Sequence, residues 1–148
     1  MIVRRLLIFL ALALPLGVAV ASADNDKIID KSQLPAQAQS FINEHFPNAK
    51  LSYAKLDTDF FVRTYEVVLA GGVRLEFSNN GEWEEVDCRR AEVPTALVPV
   101  AISNYIKNSY PGAKVTRIER DGRGYELELS NDLELTFNKD FKIIDIDD

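Results

Sequence analysis

The chain has 148 residues, 47 % of them hydrophobic, and its 17 basic against 23 acidic side chains give a formal net charge of −6. That balance excludes a nucleic-acid binder, which needs Lys and Arg to displace counterions from phosphates. One cysteine, Cys88, leaves nothing for an internal disulfide, so a hydrophobic core has to hold the fold, and burial is the expected fate of the thiol.

Met1-Ile2-Val3-Arg4-Arg5 leads into an apolar run from Leu6 to Val20, followed by Ala21-Ser22-Ala23. A basic start, a hydrophobic stretch and a small-x-small site in this order predict a cleavable signal peptide over residues 1–23, cut after Ala23. The run is shorter than the ~20 residues that a spanning helix needs. No cysteine follows it for lipidation, so no stable membrane anchor is expected after cleavage. What remains is about 125 residues, the size of one domain. Loss of Arg4 and Arg5 makes the mature chain more acidic, and its expected location is periplasmic or secreted.

Residues 24–32 read as a mobile polar lead-in. Beyond them the chain matches itself. Leu34-Pro35, Phe41-Ile42, Phe46-Pro47 and Ala49-Lys50 meet Val98-Pro99, Tyr105-Ile106, Tyr110-Pro111 and Ala113-Lys114 at one constant offset. Tyr65-Glu66-Val67 and Val73 to Phe77 then meet Tyr125-Glu126-Leu127 and Leu133 to Phe137 at an offset four residues shorter. The difference is expected in a loop between Asp57 and Val62. Residues 33–88 and 98–148 are therefore predicted as two repeats joined by a connector at 89–97.

Each repeat should open with a helix whose first position is Pro35 or Pro99, where a missing N–H costs nothing. Leu34, Ala38, Phe41, Ile42 and His45 share one helical face, as do Val98, Ile102, Tyr105, Ile106 and Ser109. The helices should stop before Phe46-Pro47 and Tyr110-Pro111. Strands follow: Lys50–Leu56, short and mixed, then the alternating Tyr65–Leu69 and Val73–Phe77 and the closing Trp83–Val86, and in the second half the mixed Lys114–Arg120, then Tyr125–Leu129, Leu133–Phe137 and Ile143–Ile146. The expected fold is α+β, two tandem helix-plus-antiparallel-meander repeats with the helices on one face of the sheet.

The other face should be polar and wet. It carries Glu66, Arg74 and Glu76 in the first repeat and Glu126, Glu128 and Glu134 in the second, and these six are the candidate binding residues. Catalytic chemistry has no visible carrier. His45 has Ser109 at the matching place, and no zinc, nucleophile-elbow or phosphate-loop motif is present. Glu82, Glu84 and Glu85 offer paired carboxylates, but on strands expected to be solvated, which would not raise a pKa. Asp140, Asp145, Asp147 and Asp148 lack the glycine and spacing of a calcium loop. No catalytic residue, resident metal or cofactor is expected. Trp83, matched by Ile143, is expected in the core, with an interface anchor as the alternative.

Taken in order, Leu34-Pro35, Phe41-Ile42, Phe46-Pro47-Asn48-Ala49, Tyr65-Glu66-Val67, Val73-Arg74-Leu75-Glu76-Phe77 and Gly81-Glu82-Trp83 resemble the PepSY-like repeat of small secreted bacterial proteins. The second half departs at the last motif, where Phe141-Lys142-Ile143 stands. That family is similar in fold to the β-lactamase inhibitor protein, whose sheet forms a protein-binding surface, and PepSY domains also occur in propeptides of secreted peptidases. The resemblance implies a non-enzymatic binding or inhibitory module for an unknown protein or peptide. It does not imply a β-lactamase target, since fold does not set function, and its motifs are core residues that carry no functional role across. Binding of a cation or small ligand by the acidic surface is the alternative.

Overall fold

The computed structural model describes residues 26–148, so the signal-peptide reading and its cleavage site lie outside the described residues. The elements in chain order are β1 (Lys27–Ile29), α1 (Ala36–His45), β2 (Leu51–Asp59), β3 (Val62–Leu69), β4 (Arg74–Ser78) and β5 (Trp83–Asp87). They continue with α2 (Val100–Ser109), β6 (Val115–Asp121), β7 (Gly124–Leu129), β8 (Glu134–Asn138) and β9 (Ile143–Asp147). Single turns of 3-10 helix at Lys31–Gln33 and Thr95–Leu97 lead into the two α-helices.

The nine strands form one antiparallel sheet in the order β1 to β9, each paired with its neighbours in the chain. This corrects the expected α+β architecture of two tandem helix-plus-meander repeats. The chain is mostly β, and the two helices are ten residues each, held short by the prolines on either side. The sheet does not break between the halves, because β5 pairs with β6 through Glu85↔Glu119, Val86↔Ile118 and Asp87↔Arg117.

Two local expectations also change. The lead-in carries β1, whose Ile28 and Ile29 pair with Lys55 and Ala54. The four extra residues of the first half do not make a loop but lengthen both arms of the β2–β3 hairpin. Asp57↔Thr64, Thr58↔Arg63 and Asp59↔Val62 are paired, and Phe60-Phe61 is the turn.

Both helices pack on one face of the sheet. Pro35 and Pro99 stand one position before the first helical residue, and their carbonyls accept from the N–H of Gln39 (3.1 Å) and Ser103 (2.9 Å). Ala38 and Ile42 of α1, and Ile102 and Ile106 of α2, are buried against Val67, Leu75, Val86, Ile118, Leu127 and Leu135. Phe41 meets the fully buried Phe77 edge-on, centroids 5.5 Å apart at 81°, and Tyr105 meets Phe137 likewise at 5.3 Å and 86°. Such edge-to-face pairs add about 0.5–1.5 kcal/mol to the area that they bury. The helices thus occupy one side of the sheet and leave the other to polar side chains.

Candidate binding face

Period-two alternation sends every second residue away from the helices, and the strand register then decides which of them meet. Across β3, β4, β5, β6 and β7 the directly opposed residues are Glu66↔Glu76, Glu76↔Glu85, Glu85↔Glu119 and Glu119↔Glu126. Five glutamates on five consecutive strands form one row. Lys55 of β2 stands at one end of it, and Thr136 and Asp145 of β8 and β9 continue it at the other. Like charges facing each other across strands are destabilising, so the row needs compensation.

The next row supplies it. Arg74 and Arg117 flank Asp87 there. Arg74 bonds Glu85 through Nη2, and its Nη1 lies 3.8 Å from Glu66. Arg117 reaches three carboxylates: Glu85 at 3.3 Å from Nε, Glu119 at 2.6 Å from Nη2 and Glu126 at 3.3 Å from Nη1. Burial alone disfavours the charge of Arg117, but Glu85, Glu119 and Glu126 outweigh it and raise its pKa. At the β2 end, the Tyr53 hydroxyl donates to Glu66 (2.9 Å), and Lys55 donates to Asp26 (2.9 Å) while lying 3.9 Å from Glu66.

This face is not the solvated surface expected. The Glu126 side chain is 5 % exposed and that of Glu85 is 9 %. Long side chains on strands only about 4.8 Å apart cover one another. Glu76 makes no ion pair among the described residues, and its pKa rises to about 7, first because it is buried and then because Glu85 and Glu84 are negative. Burial likewise raises Glu119, against the pull of Arg117.

Of the six candidate residues, Glu66, Arg74, Glu76 and Glu126 lie in this network. Glu128 and Glu134 face each other in the neighbouring row, where Glu128 also stands opposite Arg117. Sequence reasoning missed Arg117, Glu119, Tyr53 and Lys55, and it set Glu85 aside as solvated. The signal was present as outward-facing charge in β6, but joining β6 to β5 required the pairing of the two halves.

The other residues that the sequence singles out lie outside this network. His45 packs on Phe41 at 4.6 Å. Trp83 lies among the core aromatics, 6.2 Å from Phe41, with the Arg120 guanidinium 4.0 Å from its ring and Arg120 Nε donating to its carbonyl (2.8 Å). Cys88 is buried, and burial pushes its thiol up to about 11. The carboxylates of Asp145 and Asp147 accept from the N–H groups of Ile146 (3.1 Å) and Asp148 (3.0 Å). Among the described residues no three acidic, His or Cys side chains gather closely enough to hold a metal ion. Among them, too, no helix is long and apolar enough to cross a membrane.

At the tip of the β2–β3 hairpin, Phe60 and Phe61 are 89 % and 100 % exposed. Phe60 has φ +54°, a conformation that disfavours a side chain. A concavity of about 480 Å³ lies beside the tip, lined by Phe61, Val62, Arg63, Thr64, Ser78, Asn79 and Glu84. The buried Ser78 hydroxyl has no hydrogen-bond partner among the described residues. Phe60→Gly is expected to relieve the turn and stabilise the fold by about 0.5 kcal/mol, read as a rise of about 2–3 °C in the thermal midpoint.

A family model described as "Putative beta-lactamase-inhibitor-like, PepSY-like" matches residues 63–145. The chain belongs to the PepSY-like family. The match runs as one unit from β3 into β9, across the connector between the two halves. Solved structures share the fold. A protein from Bacteroides vulgatus, described as a putative periplasmic protein of the DUF2874 family, is 48 % identical, with TM-score 0.83 over 85 % of this chain and 99 % of that one. A protein from Bacteroides thetaiotaomicron, described as a putative calcium-regulated periplasmic protein, is also 48 % identical, with TM-score 0.82 and the same coverage. A third, described as a putative periplasmic protein of unknown function from Bacteroides vulgatus, is 41 % identical, with TM-score 0.80 over 83 % of this chain and 99 % of that one. No curated protein matches the sequence.

Proposed function

We propose that the mature chain is a periplasmic, non-enzymatic binding module that recognises a protein or peptide with the polar face of its sheet. The observation that carries this is the five-glutamate row, aligned by the strand register and braced by Arg74, Arg117 and, at its β2 end, Lys55. Its partly exposed members, Glu66 and Glu119, stand with Glu128 and Glu134 on one ordered acidic face, suited to a basic partner segment. The periplasmic description of the neighbours supports the location, and the inhibitor-like description of the family supports blocking as the form of the activity.

Pull-down from periplasmic extract with immobilised mature protein tests the reading, using Glu128→Lys/Glu134→Lys as the comparison. Loss of the captured protein with the double variant is the expected result, and unchanged capture would remove the face from the account. Charge reversal at Glu126 is a poor test, because it places a buried positive charge against Arg117.

A second reading, cation binding by the same face, is favoured by the description of the Bacteroides thetaiotaomicron neighbour as calcium-regulated. Calorimetric titration of the mature protein with calcium chloride separates the two. Heat that saturates at millimolar ion supports the cation; its absence leaves the protein partner.

A further inference from the structure

Glu76 sits in the middle of the glutamate row with negative charge on both sides. Glu66 faces it from β3, with Tyr53 and Lys55 of β2 behind that residue, and Glu85 faces it from β5, with Glu84 next along the strand. Beyond Glu85 lies Glu119 of β6. The helices are on the far side of the sheet and place no charge here. Arg74, on the same strand, pairs with the two neighbours Glu66 and Glu85; it also attracts Glu76, but burial and the negative charge of Glu85 and Glu84 outweigh that attraction. Arg117 is committed to Glu85, Glu119 and Glu126. The row is therefore short of positive charge at one position.

We propose that Glu76 is the proton-holding position of this face, a built-in pH-responsive element in which one proton stands where the ion-pair network lacks a cation. Losing the proton adds a negative charge at the centre of the row, between the carboxylates of Glu66 and Glu85 that face it across the neighbouring strands. Folding then weakens, and the face becomes more attractive to a basic partner. That last consequence rests on the sheet-face reading above; the proton site itself does not.

The direction of the pH effect follows from linkage. The carboxyl is raised from 4.5 in the open chain to about 7 in the fold, so the folded state holds the proton more tightly. Its stabilising contribution is complete below 4.5 and is lost as pH rises through about 7. Glu119 is raised too, so the contribution of Glu76 is isolated only as a difference between variants. Glu76→Gln is the matched variant, neutral at every pH and nearly the same shape.

The test is a carbon-13 NMR titration of the glutamate carboxyls of the mature protein, wild type and E76Q, with denaturant unfolding of both from pH 5 to pH 8. One carboxyl should titrate near pH 7 and be missing from E76Q. The ratio of the unfolding constants, wild type over variant, should grow on the order of tenfold or more across that range. A Glu76 midpoint in the ordinary carboxylate range overturns the proposal, as does a ratio that does not change with pH. Because both measurements use the free protein, a failure here is distinct from failure of the partner-capture experiment.

Discussion

Arg117→Ala is expected to destabilise the protein by about 3–5 kcal/mol, the cost typical of removing one partner from a buried ion pair. Its guanidinium touches three carboxylates, two of which, Glu85 and Glu126, are almost wholly buried. Glu85 keeps Arg74 after the change, but among the described residues Glu126 pairs with no other cation. Desolvated negative charge is then left opposite negative charge across β5, β6 and β7. Guanidinium chloride unfolding at neutral pH measures the loss. Two further results identify its cause. Lowering the pH should restore much of the stability, because the stranded carboxylates take up protons. Adding Glu126→Gln to the alanine variant should also restore part of it, and strict additivity of the two changes would show that the pair is not coupled. Arg117→Lys should fall between the wild type and alanine, since one ammonium cannot reach three carboxylates in the way a planar fork does.

Gly124→Ala is the second large effect. Gly124 opens β7 with φ +149°, directly opposite Asn138 of β8. A Cβ there would lie 2.0 Å from the carbonyl oxygen of Phe137 and 2.7 Å from the carbonyl carbon of Asn138. Both are backbone atoms, so no side chain can swing aside. The strands must part at that end, which draws Phe137 from its contact with Tyr105. A loss of at least about 3 kcal/mol is expected, at the upper end of overpacking costs. Gly112→Ala is the control, because nothing lies within 4 Å of its Cβ and only its φ of +84° resists the change. That variant should lose about 1 kcal/mol. Thermal unfolding of the two, with amide exchange in β7 and β8, distinguishes a strand clash from simple backbone strain.

Much of the sheet is legible from alternation alone. Val67, Leu69, Leu75 and Phe77 lie inward as their period requires, and so do Leu127, Leu129, Leu135 and Phe137. The helix ends at Phe46 and Tyr110 follow from the prolines after them. Other features depend on information that no single segment contains. Lys27-Ile28-Ile29 is too short to show a period, so β1 is invisible until β2 offers it an edge. The β5–β6 pairing joins residues on opposite sides of a helix, and without it the glutamates of the two halves form separate patches.

Bulges complicate the candidate face further. Register shifts between Glu76 and Phe77 and between Thr136 and Phe137 break simple alternation in β5 and β9. A one-residue slip exchanges the two faces of a strand. The sequence therefore marks Glu66, Arg74, Glu76 and Glu126 as outward-facing, but not as members of one buried charge network. That property belongs to the register, and with it the contrast between a paired Glu126 and an unpaired Glu76.

The neighbour-to-neighbour order of the sheet also bears on how the chain reaches its fold. Every strand finds its partner at the next strand of the chain, and the two longest closures, β1 to β2 and β5 to β6, are bridged by a helix. Closing short loops costs little entropy, and closing longer ones costs only slowly more. A hairpin such as β7–β8 can form and then template the strand on either side of it, so assembly proceeds as a zipper instead of waiting for distant segments to meet. Among sheet proteins this topology belongs to the fast-folding, low-contact-order end. At every stage the growing sheet has one unpaired edge at each end, and the next strand of the chain is the segment nearest to cover it before another molecule can.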